Sequence, residues 1–240
     1  MNVTFKMLSV NARGMRSLEK RKAVFGWLIR QGVDICFLQE TYSTKEVEKV
    51  WKTQWQGDMF FSHGTVHSRG VLILVKNELE FKLNHVRQDS QGRFIVLDAI
   101  VQGQRFILTN IYAPNKTEEQ IVFFDQINDE LDIILTDDNC KIIIGGDFNV
   151  MLDPDLDGHG GNPKLRESVK HIENICLAHD LVDIWRVRNP ETKRFTWRQK
   201  KPLVQRRLDF WLIHDSFQEV IDNVLIIPSI KSDQIGRAHV

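Results

Sequence analysis

Cysteine, long apolar runs and an excess of charge of either sign are all scarce in this sequence. The three cysteines, Cys36, Cys140 and Cys176, are far apart and have none of the spacings that metal sites use. Cys36 and Cys176 lie in apolar runs, so we expect small buried side chains in a reducing compartment. No apolar stretch is long enough to span a bilayer, and the N-terminus has no signal-peptide core. These absences disfavour a secreted or membrane protein and favour an intracellular one.

The overall charge excludes little by itself. Lys and Arg number 32, as do Asp and Glu, so the formal net charge is zero. Bulk charge therefore gives no argument for a nucleic-acid partner, and only a local basic patch could provide one. The chain has 240 residues, 42% of them hydrophobic, which suits one large α/β domain with a sizeable core. No internal repeat, linker or low-complexity tract divides it.

Predicted strands and helices interleave along the whole chain, which indicates one α/β domain. A strand over Val3 to Asn11 precedes a helix that Ser17 caps and Gly32 ends. Buried strands are predicted at 33–38, 71–75 and 141–144, a hairpin around Gln102-Gly103, and a helix at 166–179. Two local signals add expectations: a capping box at 117–120, and a strand end at Gly145-Gly146.

Polar residues of the kind that bind metal or phosphate follow six apolar runs. They are Asn11, Glu40, Tyr112, the pair Asp147 and Asn149, Asp209, and Ser232-Asp233. Taken singly, an Asp or Asn after a strand is usually a turn former, and a Tyr is usually packed with its hydroxyl satisfied nearby. Six in one chain are harder to dismiss. Strand ends gathered along one sheet edge would bring Glu40, Asp147 and Asp233 within reach of a single divalent ion.

The chemistry of these side chains favours phosphoryl transfer. Carboxylate and amide oxygens without paired His or Cys are hard ligands, which favour Mg²⁺, or Mn²⁺ as a substitute, over zinc. Hydrolysis of a phosphate ester needs a cation, a carboxylate that activates water, and donors that hold the nonbridging oxygens. In this set Glu40 provides a metal ligand and Asp147 the water-activating carboxylate. The donors are Asn11, Asn149 and Tyr112.

Six segments in order resemble the motifs of the endonuclease/exonuclease/phosphatase superfamily. They are Leu8-Ser9-Val10-Asn11, Leu38-Gln39-Glu40-Thr41, Asn110-Ile111-Tyr112-Ala113-Pro114-Asn115, Gly145-Gly146-Asp147-Phe148-Asn149, Arg207-Leu208-Asp209-Phe210 and Ser232-Asp233. The resemblance spans nearly the whole chain. It implies an α/β fold, a four-layer α-β-β-α sandwich with two mixed β-sheets face to face and helices outside. It also implies Mg²⁺-dependent hydrolysis of phosphodiesters.

Within that superfamily, the stretches 111–115 and 195–197 are similar to the endonuclease domains of non-LTR retrotransposons, which resemble apurinic/apyrimidinic endonucleases. This likeness implies that Glu40 binds the metal with help from Asn11 and Asp233. The implied roles of the other residues are activation of water by Asp147, phosphate binding by Asn149 and Asn115, phosphate contact by Tyr112, and orientation of the last catalytic residue by Asp209. We expect DNA as the partner, a monomer, a parent polyprotein with a C-terminal reverse transcriptase domain, and action in the nucleus.

The last catalytic residue departs from the family pattern, which has a His after Ser-Asp. Here position 234 is Gln234, which can donate a hydrogen bond but cannot carry a proton or a positive charge. We expect a loss of roughly two orders of magnitude in rate, the usual scale for one general acid or base.

The tail that follows, 235–240, resembles a translated sequencing adapter. We therefore expect a domain at 1–234, an overwritten family His and a missing last strand; a natural divergent tail is the alternative.

One stretch is locally basic. From Lys193 to Arg207 there is no acidic residue, and aromatic side chains interleave with the cations. Such clusters bind phosphate backbones. The alternative is a solvated loop whose aromatic side chains belong to the core, which would have the same sequence pattern. The predicted DNA contacts are Arg194, Thr196, Arg198, Lys200 and Lys201.

Three functional interpretations remain open from the sequence. The first is a DNA endonuclease that nicks duplex DNA, with repair-type or 3′-exonuclease activity as a near relative. The second is a phosphatase or phosphodiesterase acting on inositol or lipid phosphates, which the basic and aromatic stretch disfavours slightly. The third is a catalytically dead remnant, which Gln234 supports.

Overall fold

The computed structural model describes residues 4–135 and 140–227, and the backbone of 237–239. The chain divides into two compact units, Met1–Tyr112 and Ala113–Val240. Asp233 and Gln234 lie outside the described residues. Within the described ranges, no helix combines the length and apolar character needed to cross a bilayer.

The first unit contains two sheets and two helices. The first sheet has the order β1-β2-β4-β3; β1 and β2 are parallel and the other pairs antiparallel, so this sheet is mixed. The second is the antiparallel sheet β5-β6-β7. The elements are β1 (Met7–Asn11), α1 (Leu18–Arg30), β2 (Ile35–Gln39), α2 (Glu48–Lys52), β3 (Gly57–Ser62), β4 (Val71–Lys76), β5 (Phe81–Gln88), β6 (Phe94–Val101) and β7 (Gln104–Tyr112).

Local sequence signals set the boundaries of several elements of this unit. Ser17 caps α1 by accepting a hydrogen bond from the backbone of Lys20, and Gly32 follows the helix at φ 62°. The hairpin β6–β7 turns at Gln102 and Gly103, which have φ 48° and 83°. Two consecutive left-handed residues match the right-handed twist of the flanking strands. The predicted cap and hairpin are therefore confirmed.

The second unit contains the antiparallel strands β8-β13-β10 and the small sheet β11-β12-β9. Helices α3 and α5 pack against each other, and His171 of α5 forms a hydrogen bond with Asp125 of α3. The elements are α3 (Thr117–Ile134), β8 (Lys141–Asp147), α4 (Pro154–Asp157), β9 (Gly158–His159), α5 (Val169–Ala178), β10 (Leu181–Asp183), α6 (Ile184–Arg188), β11 (Trp197–Gln199), β12 (Val204–Arg206), β13 (Asp209–His214), β14 (Leu225–Ile227) and β15 (Arg237–His239). The predicted α/β class with mixed sheets is confirmed.

Two predicted boundaries were wrong. Strand β8 runs through Gly145-Gly146 to Asp147. Gly145 faces Trp211 of β13, and a Cβ on it would lie 2.3 Å from the Trp211 ring, so this glycine makes room for an aromatic side chain. The capping box is also absent: the cap of α3 is Lys116, without a side-chain bond. Gln120 is instead fully buried, and its amide donates to the backbone of Pro114.

The tail differs from the prediction in one detail. Three of its residues, Arg237–His239, form a short strand antiparallel to Leu225–Ile227. A ladder of backbone hydrogen bonds does not depend on which side chains the strand carries, so an atypical sequence can still form a strand. The expected absence of a last strand is corrected to that extent.

Candidate active site

Glu40 follows the last residue of β2, and the neighbouring strand holds its side chain in place. The parallel pairing of β1 with β2 sets Asn11 opposite Gln39. The Asn11 Nδ2 donates to Glu40 Oε1 at 2.8 Å, and the Asn11 Oδ1 accepts from the Arg13 backbone at 3.1 Å. Asn11 is buried, whereas Glu40 is partly exposed. The structure thus brings together two of the predicted metal ligands.

Tyr42, which the sequence reasoning missed, holds the other oxygen of Glu40. Its hydroxyl donates to Glu40 Oε2 at 3.2 Å. Burial and the nearby Glu40 carboxylate raise the pKa of the Tyr42 phenol, so the hydroxyl stays a donor. A Cβ at Gly14, which has φ 82°, would lie 2.7 Å from the Tyr42 ring. We call Asn11, Glu40 and Tyr42 the Glu40 cluster.

Tyr112 is the last residue of β7 and packs against a cation. The Arg93 guanidinium carbon lies 5.0 Å from the centre of the Tyr112 ring. The two backbones are also joined, because Tyr112 N donates to Arg93 O at 2.7 Å. A cation over a tyrosine ring is attracted to its negative face and fixes its orientation. Arg93 is a second functional candidate that the sequence reasoning missed.

In the second unit, Asp147 and Asn149 are held by the backbone. Asp147 ends β8 and is buried, and its carbonyl accepts from Ala113 N at 2.8 Å. The Asn149 Nδ2 donates to Ala113 O at 2.7 Å, and the Asn149 backbone N–H donates to Asp147 Oδ1 at 3.1 Å. Asn149 has φ 52°, a conformation that Asn tolerates better than most residues. The Ala113 backbone therefore bonds to both residues.

Asp209 begins β13 and pairs directly with Asp147 in the antiparallel register. Because the strands run in opposite directions, the start of one and the end of the other share one sheet edge. The Thr196 hydroxyl oxygen accepts from the backbone N–H groups of Leu208 at 3.0 Å and Asp209 at 3.3 Å. We call Asp147, Asn149 and Asp209 the Asp147 cluster.

Asn115 is tied to the same region through its backbone. The Arg166 Nη1 donates to Asn115 O at 2.9 Å and to Asn149 O at 3.2 Å. One guanidinium thereby joins two of the predicted phosphate-binding segments. No sequence signal singled out Arg166, because an arginine at the start of a predicted helix is usually ordinary surface.

A buried ion network lies two residues before Asp209. Arg207 donates to Asp157 through Nε at 2.7 Å and to Asp183 through Nη2 at 2.6 Å. Arg207 is 1% exposed and its guanidinium carbon lies 4.3 Å from the centre of the Phe210 ring. Burial lowers the pKa of Arg207, but the carboxylates of Asp183 and Asp157 outweigh it, and the pKa is raised. The motif Arg207-Leu208-Asp209 therefore combines an internal ion pair with a site residue.

The predicted DNA contacts lie on or beside the hairpin β11–β12, and they differ in exposure. Arg194, Lys200 and Lys201 are exposed, and Arg198 is half-buried. Thr196 is fully buried and holds the backbone before β13, so in this conformation its hydroxyl is not available to DNA. The exposed cations remain predicted contacts.

Of the three residues expected to bind Mg²⁺, Asn11 and Glu40 lie among the described residues and Asp233 does not. Among the described residues, no three His, Cys, Asp or Glu side chains form a group that could hold a metal ion. Mg²⁺ is usually bound through one or two carboxylates and keeps several waters, so it does not require such a group. Glu40, with the Asn11 side-chain amide next to it, fits that donor chemistry.

The chain is similar to two curated proteins, a transposon protein and an endonuclease. The chain is 35% identical to the transposon TX1 uncharacterized 149 kDa protein of Xenopus laevis over 191 residues, which are 79% of this chain and 14% of that protein. It is 30% identical to DNA-(apurinic or apyrimidinic site) endonuclease 2 of Schizosaccharomyces pombe over 120 residues, 44% of this chain and 22% of that protein. The chain thus spans under a quarter of either relative.

Solved structures share the fold. The AP endonuclease LMAP from Leishmania major matches with a TM-score of 0.82 and 16% identity, over 98% of this chain and 86% of that one. The APE2 catalytic domain from Xenopus laevis matches with a TM-score of 0.78 and 17% identity, over 98% and 91%. An AP endonuclease from Archaeoglobus fulgidus matches with a TM-score of 0.76 and 20% identity, over 99% of both.

These likenesses confirm the predicted α/β sandwich. Residues 4–233 match the Endonuclease/Exonuclease/phosphatase family, a range that covers nearly the whole chain and includes both clusters. The chain therefore belongs to the Endonuclease/Exonuclease/phosphatase family.

Proposed function

We propose that this chain hydrolyses phosphodiester bonds of DNA with Mg²⁺, as a nicking endonuclease of the retrotransposon type. The observation that carries the proposal is the arrangement of Glu40, whose two carboxylate oxygens accept from Asn11 and Tyr42. A carboxylate held on both oxygens is preorganised, and preorganised charge is a large source of catalysis. Family membership supports the same chemistry.

The proposed metal ligands are Glu40, with Asn11 and Asp233. Mg²⁺, or Mn²⁺ in its place, supplies positive charge that offsets the charge developing on the phosphate. Asn11 has two roles in this proposal. Its Nδ2 orients Glu40, and its Oδ1, which accepts one hydrogen bond from the Arg13 backbone, would bind the metal through its second lone pair. Hydrogen-bonded carboxylates of this kind are typical of metal sites.

The Asp147 cluster provides the remaining chemistry. Asp147 takes the proton from the attacking water as general base. Asn149 and Asn115 hold the nonbridging phosphate oxygens, and Tyr112 contacts the phosphate. Asp209 orients residue 234, where the family pattern has a His and this chain has Gln234. We therefore propose that the chain as written is impaired.

DNA as the substrate is supported by the hairpin and by the relatives. The exposed cations Arg194, Lys200 and Lys201 would neutralise backbone phosphates. The Schizosaccharomyces pombe relative is named as an endonuclease for apurinic or apyrimidinic sites in DNA. The Xenopus laevis relative is a transposon protein of 149 kDa. We accordingly propose a parent polyprotein with a reverse transcriptase domain, acting in the nucleus, with this part as a monomer.

A plasmid-nicking assay with Mg²⁺ tests the proposal. The chain is compared with Gln234→His, each with and without a C-terminal extension by one strand, and with EDTA. We expect relaxed circles from the repaired chain and none from the same chain carrying Glu40→Gln. If no form cuts DNA but phosphate is released from inositol phosphates, the proposed substrate is wrong. Inactivity of every form on both substrates would identify a catalytically dead remnant.

A further inference from the structure

We propose that Asn110 is a positioning residue that locks the β-bulge from which Glu40 projects. Its catalytic consequence rests on the proposed function, but its structural consequence does not. Asn110 lies in β7, two residues before Tyr112, and is fully buried between the two sheets of the first unit. A buried amide needs partners, and each of its partners lies at the end of β2 or β4.

The bulge follows from the hydrogen bonds between β2 and β4. Leu38 pairs with Leu72 in the antiparallel register, whereas the next backbone bond runs from Thr41 N to Gly70 O at 2.9 Å. Two residues, Gln39 and Glu40, therefore face the single residue Val71 on the other strand. Such an extra residue bends the strand and re-aims a side chain. Glu40 has φ 49°, the left-handed conformation that lets it leave the ladder.

Asn110 bonds the pair of residues that immediately precedes the bulge. Its Nδ2 donates to the carbonyls of Leu38 and Leu72, each at 3.1 Å. Its Oδ1 accepts from Gln39 Nε2 at 2.7 Å, and the same nitrogen donates to Ser9 Oγ on β1 at 3.1 Å. The Asn110 side chain is thus bonded to β2 at Leu38, to β4 at Leu72, and to Gln39 within the bulge.

This network is specific in chemistry as well as in shape. Only a side chain with two donor hydrogens and one acceptor oxygen can make all three Asn110 bonds. A leucine of similar size would leave two carbonyls and the Gln39 amide buried without this partner. Because a one-residue slip would carry Glu40 to the other face of the sheet, fixing the register fixes which face the carboxylate is on.

The matched control is the preceding residue in the same strand. The Thr109 hydroxyl is buried, and among the described residues it has no hydrogen-bond partner. Thr109→Val keeps the shape and removes only that hydroxyl. Asn110→Ala and the milder Asn110→Ser, which keeps one donor, are compared with Thr109→Val and with the unchanged chain.

Amide hydrogen exchange tests the structural part under native conditions. We expect the amides of Thr41 and Tyr42, which bond to Gly70 and Arg69, to exchange at least about tenfold faster in Asn110→Ala, relative to the amide of Leu97 in β6. Asn110→Ser should lie between, and Thr109→Val should not differ from the unchanged chain. Equal acceleration of all core amides would show an ordinary loss of stability and overturn the proposal.

Titration with Mn²⁺ alone tests the link to the proposed metal. Partners that orient a ligand typically change metal affinity about 10- to 100-fold, so we expect the Mn²⁺ dissociation constant of Asn110→Ala to rise by at least about tenfold. If Asn110→Ala speeds amide exchange at Thr41 but leaves the Mn²⁺ affinity unchanged, the proposal that Asn110 positions Glu40 for metal binding is overturned. If Glu40→Gln itself leaves Mn²⁺ affinity unchanged, the proposed metal role of Glu40 fails, while the exchange result still decides the role of Asn110.

Discussion

The Glu40 cluster and the Asp147 cluster hold their functional groups in different ways. In the Glu40 cluster, side chains bond to side chains: Asn11 and Tyr42 each donate to one oxygen of Glu40. In the Asp147 cluster, the hydrogen bonds described above run mainly to the backbone, as from Asn149 to the Ala113 carbonyl. A bond to the backbone couples the position of a group to the stability of the fold, whereas a bond between side chains can be removed locally.

The difference predicts how substitutions around each cluster divide between stability and activity. Around the Asp147 cluster, the Thr196 hydroxyl bonds to the backbone and Arg207 belongs to a buried ion network, so replacement of either residue should lower both stability and activity. In the Glu40 cluster, replacement of Tyr42 should change activity and leave the fold nearly intact. Each variant described below is measured in the chain that carries Gln234→His, so that nicking can be followed.

Arg207→Met should have the largest effect on stability. It removes the guanidinium from two buried or nearly buried carboxylates, Asp157 and Asp183. Loss of one partner of a buried ion pair costs about 3–5 kcal/mol, measured as the free energy of unfolding in urea. Arg30→Met, at an exposed arginine that ends α1, is the control. A cost as small as that of the control would mean that the network does not hold this segment.

Thr196→Val should come next and should affect both properties. It preserves the side-chain shape but removes the oxygen that accepts from Leu208 and Asp209. Leaving such groups unsatisfied costs about 1–3 kcal/mol, and the nicking rate should fall as well because Asp209 loses its backbone anchor. Thr196→Ser keeps the oxygen and should recover most of both. If Thr196→Val lowers only DNA affinity, the original prediction of a DNA contact is the better account.

Tyr42→Phe should change activity more than stability. It removes one hydrogen bond to Glu40 in a partly exposed place, worth about 0.5–1.5 kcal/mol. We expect thermal unfolding close to that of the parent and a higher Mg²⁺ concentration for half-maximal nicking. The control is Phe60→Tyr on β3, which makes the opposite change, the addition of a hydroxyl, outside the Glu40 cluster. An unchanged Mg²⁺ dependence in Tyr42→Phe would exclude a role for the Tyr42 hydroxyl.

The smallest expected effect is a pH dependence away from both clusters. His179 on the C-terminal side of α5 lies near Asn128 and Asp132 of α3. Burial lowers the pKa of His179 below its ordinary value of 6.5, against the opposing charges of Asp132 and Asp180. A lowered pKa means that the stability contribution is present above pH 6.5 and is lost as the pH falls through the folded-state value.

The measurement is the free energy of unfolding between about pH 7.5 and the acid range, at about half-unit steps. In His179→Gln the part of the slope that His179 contributes should vanish, so the unchanged chain should lose stability relative to the variant as the pH falls below 6.5. Parallel curves for the two chains would show that His179 does not titrate as its burial implies.

The sequence predicted those features that depend on neighbouring residues in the chain. Ser17 and Gly32 mark the two ends of α1, because the capping and the ending of a helix are local backbone effects. Asn11, Asp147 and Asp209 stand at strand ends because apolar runs mark the strands. Asp209 lies opposite Asp147 because the two strands that carry them, β13 and β8, are antiparallel neighbours.

The remainder depends on residues that are distant along the chain. Gly145 looked like a strand end because nothing nearby reveals the Trp211 ring against it. Thr196 looked like a surface residue of a basic loop, since its bonds join the residue before β11 to Leu208 and Asp209 at the start of β13, which are distant along the chain. Asn110 and Tyr42 carry no local signal for the partners that they bind.

The proposed function requires that Glu40 and Asp147 serve one hydrolytic reaction on DNA, and a double-mutant cycle of plasmid nicking tests this proposal most directly. In the Gln234→His chain, Glu40→Gln and Asp147→Asn should each slow nicking about 100-fold or more. Because residues that act as a unit are strongly non-additive, the double variant should be about as slow as the slower single variant. If the rate losses of the two single variants multiply in the double variant, or if nicking survives either single change, the account is contradicted.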